Sequence, residues 1–127
     1  MDYKTTIDWL FKQFPSYQEI GKKAYKPDLG NITRLCEHLN LDFSSLKFVH
    51  IAGTNGKGST TNLIASICIE AGLKTGVFTS PHLLDFRERI AINSDLIANE
   101  EVILFCEKIK TLNFSPSFFE ITFAMAL

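Results

Sequence analysis

Apolar residues recur at helical spacing along four stretches of this chain. Tyr3, Ile7, Leu10, Phe11 and Phe14 share one face of a helix predicted over about residues 4–14, and Pro15 ends it. Ile32, Leu35, Cys36 and Leu39 predict a second helix over 31–40. Leu63, Ile64, Ile67, Cys68 and Ala71 predict a third over 59–71, with Gly72 at the position that follows a helix C-cap. Val102, Ile103, Cys106, Ile109 and Leu112 predict a fourth over 100–112. Two shorter apolar runs read as strands: Phe48 to Ala52, closed by Gly53 and expected to be a buried parallel strand, and Gly76 to Thr79. Residues 48–79 therefore read as strand, glycine loop, helix, strand, a βαβ unit whose crossover should be right-handed. Arg89 to Ile92 suggests a further short strand, with Asn93-Ser94-Asp95 as a turn. Residues 15–30, with Pro15, Gly21, Pro27 and Gly30, read as a loop of unusual length. The segment from Phe118 to Leu127 is strongly apolar, with Glu120 and Thr122 its only polar side chains. The pattern predicts an α/β fold, a parallel sheet flanked by helices.

Composition adds limits. At 127 residues the chain fits one domain or a piece of a larger one. Thirteen basic and 14 acidic side chains give a net charge of −1, and the basic residues are scattered apart from Arg87 and Arg89, so nothing marks a nucleic-acid binder. Cys36, Cys68 and Cys106 are odd in number and far apart, each beside apolar residues in a predicted helix; they read as free buried thiols, which suits a reducing cytoplasm. No basic start with an apolar run behind it marks a signal peptide, and no stretch approaches the roughly 20 apolar residues that span a bilayer, so no membrane association is expected.

The segment with the clearest chemistry is Gly53-Thr54-Asn55-Gly56-Lys57-Gly58-Ser59-Thr60, placed where a strand turns into a helix. Its glycines let the backbone curl tightly around an anion, and the helix that follows adds its unpaired N–H groups and positive dipole end. Lys57 supplies a mobile charge for phosphates, and Ser59 or Thr60 a hydroxyl for phosphate or Mg²⁺. The signature G-x-x-x-x-G-K-[ST] is not met, because Ile51 stands where its first glycine would be and Gly58 separates Lys57 from the first hydroxyl. The competing reading is a glycine-rich turn with a solvated lysine.

Gly53 to Ser59 resembles the G-T-N-G-K-G-S loop of the folylpolyglutamate synthase and dihydrofolate synthase family, part of the Mur ligase superfamily. Thr79-Ser80-Pro81-His82-Leu83 resembles the T-S-P-H stretch of that family, and Arg87-Glu88-Arg89-Ile90 continues the match. Ser117-Phe118-Phe119-Glu120-Ile121-Thr122 resembles its F-E-x-x-T stretch, with weaker likeness through Asp28-Leu29-Gly30. The resemblance implies a P-loop NTPase-like fold and an ATP-dependent ligase, with ATP and Mg²⁺, that joins a folate or dihydropteroate carboxylate to L-glutamate through an acyl phosphate. It implies that Gly53, Thr54, Asn55, Gly56, Lys57, Gly58, Ser59 and Thr60 hold the nucleotide and that Ser80 binds Mg²⁺. It also implies that Asp28, Leu29, Gly30, Ser117, Phe118, Phe119 and Glu120 line the pterin pocket. For the phenylalanines, core packing competes with that role, and for Ser80 a turn-stabilising hydroxyl does. His82 fits substrate contact or an ordinary loop position; Arg87 and Arg89 fit an anionic substrate or loop solvation.

The likeness covers nearly the whole chain but only about the first third of a full-length family member. Residues 1–127 are thus expected to form the N-terminal part of the ATP-binding domain. The rest of that domain and the C-terminal glutamate-binding domain would be the missing partner, and the chain alone is expected to lack catalysis. A Mur-type amide ligase and a non-catalytic nucleotide-binding module are the alternatives.

Overall fold

A computed structural model describes residues 1–15 and 28–127. The loop expected at 15–30 lies for the most part outside the described residues. The chain divides into two compact units, one formed by 1–43 with most of 99–127, the other by 44–98.

The first unit is helical. Helix α1 (Tyr3–Gln13) opens on Asp2, whose carboxylate accepts the Thr5 N–H at 2.8 Å. It buries Thr6 and Leu10 and packs against α4 (Asn99–Ile109), which buries Val102, Cys106 and Ile109. Their spacing of four and three residues is the helical stripe that the sequence predicts. Helix α2 (Gly30–His38) buries Leu35 and ends on Asn40 at φ 52°, with Leu41 N–H donating to Cys36 C=O and Asn40 N–H to Glu37 C=O. That pair of bonds is a Schellman cap, with asparagine in the left-handed position. The apolar segment near the chain end is helix α5 (Phe118–Ala126), burying Phe118, Ile121, Thr122 and Ala124. Phe118 stacks on Phe11, ring centroids 5.1 Å apart, and ties α5 to α1.

The second unit holds α3 (Lys57–Glu70) and three short strands. Gly72, at φ 80°, closes α3 in the same Schellman geometry: Leu73 N–H donates to Cys68 C=O and Gly72 N–H to Ile69 C=O, as its position in the sequence predicts. Strand β1 (Gly76–Phe78) packs against α3 and pairs antiparallel with β2 (Ile90–Ile92), which pairs antiparallel with β3 (Asp95–Leu96). Asn93 and Ser94, both at positive φ, make the two-residue turn between β2 and β3.

The α/β class holds, but the pairing differs from the expected parallel sheet. Among the described residues the sheet is antiparallel, and 48–52 forms no ladder. Phe48 and Val49 are 60 and 69% exposed, where a buried parallel strand would have both faces covered. An apolar run carries the composition of a central strand, yet it becomes one only when neighbouring strands take up its N–H and C=O groups. No described strand lies beside it.

Two measurements check this packing. Burial pushes the Cys106 thiol up to about 12 and also raises that of Cys36, so both resist ionisation at neutral pH. Iodoacetamide at pH 8 should leave Cys106 unmodified in the native chain and alkylate it in urea; rapid native labelling of Cys106 would contradict its burial. Ser117→Ala, which removes the α5 cap described below, should lower unfolding stability by about 1 kcal/mol in a urea titration.

Candidate active site

The glycine loop leads directly into α3. Gly56 is the N-cap of that helix and sits at φ 78°, ψ 4°, a left-handed conformation that side-chain-bearing residues rarely adopt. No side chain caps the helix. Gly56 C=O takes the Thr60 N–H at 2.9 Å, so the amides of the first turn, Lys57 to Ser59, precede the first intrahelical bond. Lys57 is the first helical residue, and its ammonium folds back over the loop to donate to Gly53 C=O at 2.7 Å and Thr54 C=O at 3.3 Å. Its charge thus stands over the loop while staying exposed to solvent. Thr54, Asn55, Gly58, Ser59 and Thr60 are exposed around it, and nothing lies within 4 Å of where a Cβ on Gly58 would be. Open amides, a poised cation and nearby hydroxyls fit a polyphosphate chelating a hard divalent ion.

Ser80 follows the C-terminal end of β1 in the same unit, exposed, and its peptide bond to Pro81 is cis. The loop it opens is shaped by Glu88, whose carboxylate accepts three consecutive backbone N–H groups, those of Leu83, Leu84 and Asp85, at 2.8, 2.9 and 2.7 Å. These bonds hold the Glu88 carboxyl below its ordinary value. Asp85 caps the 3-10 turn at Phe86–Arg89 and pairs with Arg87 through Nε and Nη2, the latter at 2.8 Å. Arg89 is only 4% exposed and donates from Nε to His82 Nδ1 at 2.8 Å. Burial, then the Arg89 charge, holds the His82 pKa below its ordinary value. Loop solvation does not describe Arg89, which is buried, and hydrogen bonds tie both arginines to residues of their own loop. Glu88 is the residue the sequence analysis passed over. Its signal was legible, an Asp-x-x-Glu box at 85–88 of the kind that opens a helical turn.

The residues expected around a pterin lie in the helical unit. Asp28 Oδ1 accepts the Gly30 N–H at 2.8 Å and fixes the start of α2, while Leu29 is 76% exposed. Ser117 and Glu120 form a reciprocal capping box at α5: Glu120 accepts from Ser117 N–H at 2.7 Å, and Ser117 Oγ accepts from Glu120 N–H at 3.3 Å. Phe118 is core, and Phe119 is 55% exposed. Asn31 Nδ2 donates to Ser115 C=O at 3.3 Å, which brings the start of α2 beside the segment leading into α5. The glycine loop and Ser80 belong to one compact unit and these residues to the other.

No family model matches the chain. Among curated proteins it is 44% identical over 80 residues to the dihydrofolate synthase/folylpolyglutamate synthase of Bacillus subtilis, covering 63% of this chain and 19% of that protein. The crystal structure of the Thermotoga maritima folylpolyglutamate synthase superposes with a TM-score of 0.81 at 36% identity, over 98% of this chain and 29% of that one. A bifunctional folylpolyglutamate synthase/dihydrofolate synthase with Mn, AMPPNP and L-glutamate bound superposes with a TM-score of 0.80 at 26% identity, over 99% of this chain and 29% of that one. The chain spans 12 to 22% of the length of the first four curated relatives it matches. With three motifs in order and a backbone that superposes over 98% of its length on a solved folylpolyglutamate synthase, the chain corresponds to a partial region of the folylpolyglutamate and dihydrofolate synthases.

Proposed function

We propose that this chain is the N-terminal, nucleotide-binding part of an ATP-dependent ligase that joins a folate or dihydropteroate carboxylate to L-glutamate. The observation that carries this reading is the start of α3, uncapped by any side chain, with Gly56 left-handed and Lys57 folded over the loop. Gly53 to Thr60 would hold the ATP phosphates, and the Ser80 hydroxyl would complete the shell of a phosphate-bound Mg²⁺. ATP supplies the phosphoryl group that turns an unreactive carboxylate into an acyl phosphate. What this chain contributes is charge neutralisation and placement: amides and ammonium against the phosphates, with little covalent work of its own. AMPPNP and Mn in a related structure support the ligand set, and L-glutamate there supports the acceptor.

Asp28, Leu29, Gly30, Ser117, Phe118, Phe119 and Glu120 would form one wall of the pterin pocket. Exposed Leu29 and Phe119 offer apolar surface to a flat ring, while Ser117, Glu120 and buried Phe118 act by fixing the α5 terminus. The short span relative to its relatives supports reading the chain as a nucleotide-binding part without turnover of its own. Three free cysteines favour a reducing compartment, the cytoplasm, and among the described residues no helix is long and apolar enough to cross a membrane.

Isothermal titration with MgATP tests the nucleotide reading. Lys57→Ala should weaken binding by about tenfold or more, the loss expected when a charge-assisted phosphate contact is removed; unchanged affinity would defeat the placement of the phosphates. The two phenylalanines should separate in the full-length enzyme. Phe118→Ala should destabilise the fold by about 3 kcal/mol or more, whereas Phe119→Ala should leave the melting temperature in place and raise the KM for the pterin substrate. Equal stability losses would remove Phe119 from the pocket.

A further inference from the structure

Apart from the edge-on contact of His82 with buried Phe86, ring centroids 6.2 Å apart, packing contributes little at the tip of the loop that carries Ser80. Its tip residues, Leu83 and Leu84, are 88 and 95% exposed, so their side chains contribute almost no burial. Hydrogen bonds made by two adjacent residues shape the loop. The Glu88 carboxylate gathers the amides of Leu83, Leu84 and Asp85. Arg89 works from the other side: its C=O accepts the Thr79 N–H at 2.9 Å, and its guanidinium Nε donates to His82 Nδ1 at 2.8 Å. The dipeptide Ser80-Pro81 is therefore strung between two residues, Thr79 and His82, each bonded to Arg89. Arg89 itself is anchored, 4% exposed beside Phe86 at 3% and Ile90 at 5%. A loop pinned in this way presents the Ser80 hydroxyl in one position, whereas an unpinned loop of the same length would present it in many and lose affinity in proportion.

We propose that Glu88 and Arg89 are positioning residues for the cation at the nucleotide site, acting through the shape of the 79–85 loop and touching neither metal nor phosphate. This rests on the reading of Ser80 as a cation ligand, and the experiment separates the two. ATP affinity of the chain is measured by calorimetry with Mg²⁺ and with EDTA, for the wild type, Ser80→Ala, Glu88→Ala and Glu88→Gln. The wild type should bind more tightly with Mg²⁺, and Ser80→Ala should lose that gain. Glu88→Ala should lose about fivefold of the MgATP affinity, while metal-free ATP binding stays within about twofold, as expected when bonds remote from the phosphates are removed. Glu88→Gln keeps one acceptor oxygen, retains at most two of the three amide bonds, and should fall between; it carries the test if Glu88→Ala fails to fold. A full Mg²⁺ gain in Ser80→Ala would overturn the reading of Ser80 and this proposal with it. Loss of the gain in Ser80→Ala but its full retention in both Glu88 variants would overturn the positioning role alone. Equal weakening of metal-free and metal-loaded binding in the Glu88 variants would also overturn it, by showing general damage.

Discussion

The first turn of every helix leaves backbone N–H groups without intrahelical acceptors, and the start of α3 meets that requirement differently from three other helical starts of this chain. Helix α1 uses Asp2, the 3-10 turn uses Asp85 with Glu88, and α5 uses Ser117 with Glu120. Each of those ends has at least one amide taken up by its own side chains. Helix α3 begins with a left-handed glycine and no side-chain acceptor, on an exposed surface, with a lysine ammonium resting on the loop carbonyls just before it. Water can satisfy such amides, yet a polyphosphate does so with negative charge at the positive end of the helix dipole. Where those three starts take up amides with their own side chains, the α3 start leaves its amides to solvent or to a ligand.

Much of this was legible in the sequence. Apolar spacing placed all four predicted helices within a few residues of their observed ends, and Gly72 marked the α3 terminus because left-handed backbone after a helix favours glycine. Asn93-Ser94 marked the tight turn for a similar reason. The glycine loop was legible as chemistry because its residue types and its place before a helix point the same way. What the sequence could not reveal was pairing. Residues 48–52 carry a strand's composition without a ladder, and β1, expected to be parallel to them, finds its partner in β2 instead. Strand pairing depends on which segments meet in space, and local residue pattern is silent on that.

Function-bearing motifs also hid structural duties. Ser117-x-x-Glu120 reads as a capping box by spacing alone, and the structure uses it as one; the proposed role at a pterin pocket would come on top of it. Asp28 is similarly engaged, its carboxylate held by the Gly30 amide. Such engagement does not compete with ligand binding. A carboxylate has lone pairs to spare after accepting one or two bonds, and one whose orientation is already fixed loses little freedom on meeting a ligand. Phe118 and Phe119 divide the labour more sharply: one ring stacks in the core and sets where the helix starts, leaving the other exposed on the same turn.

Lys57 shows why the loop is poised rather than collapsed. Its two acceptors are neutral carbonyls, Gly53 at 2.7 Å and Thr54 at 3.3 Å. Bonds from an exposed ammonium to neutral acceptors are worth little beyond what water offers, whereas bonds to phosphate oxygens are charge-assisted and roughly twice as strong as neutral ones. The carbonyl contacts therefore park the charge over the loop and would release it to an anion at small cost. Had Lys57 met a carboxylate instead, an incoming phosphate would have had to displace an ion pair of comparable strength. Neither ion pair found among the described residues involves Lys57, and no acidic residue occurs from Ile51 through Ile69. An acid-free stretch of that length, in a chain with more acidic than basic residues, is the electrostatic counterpart of the uncapped helix start.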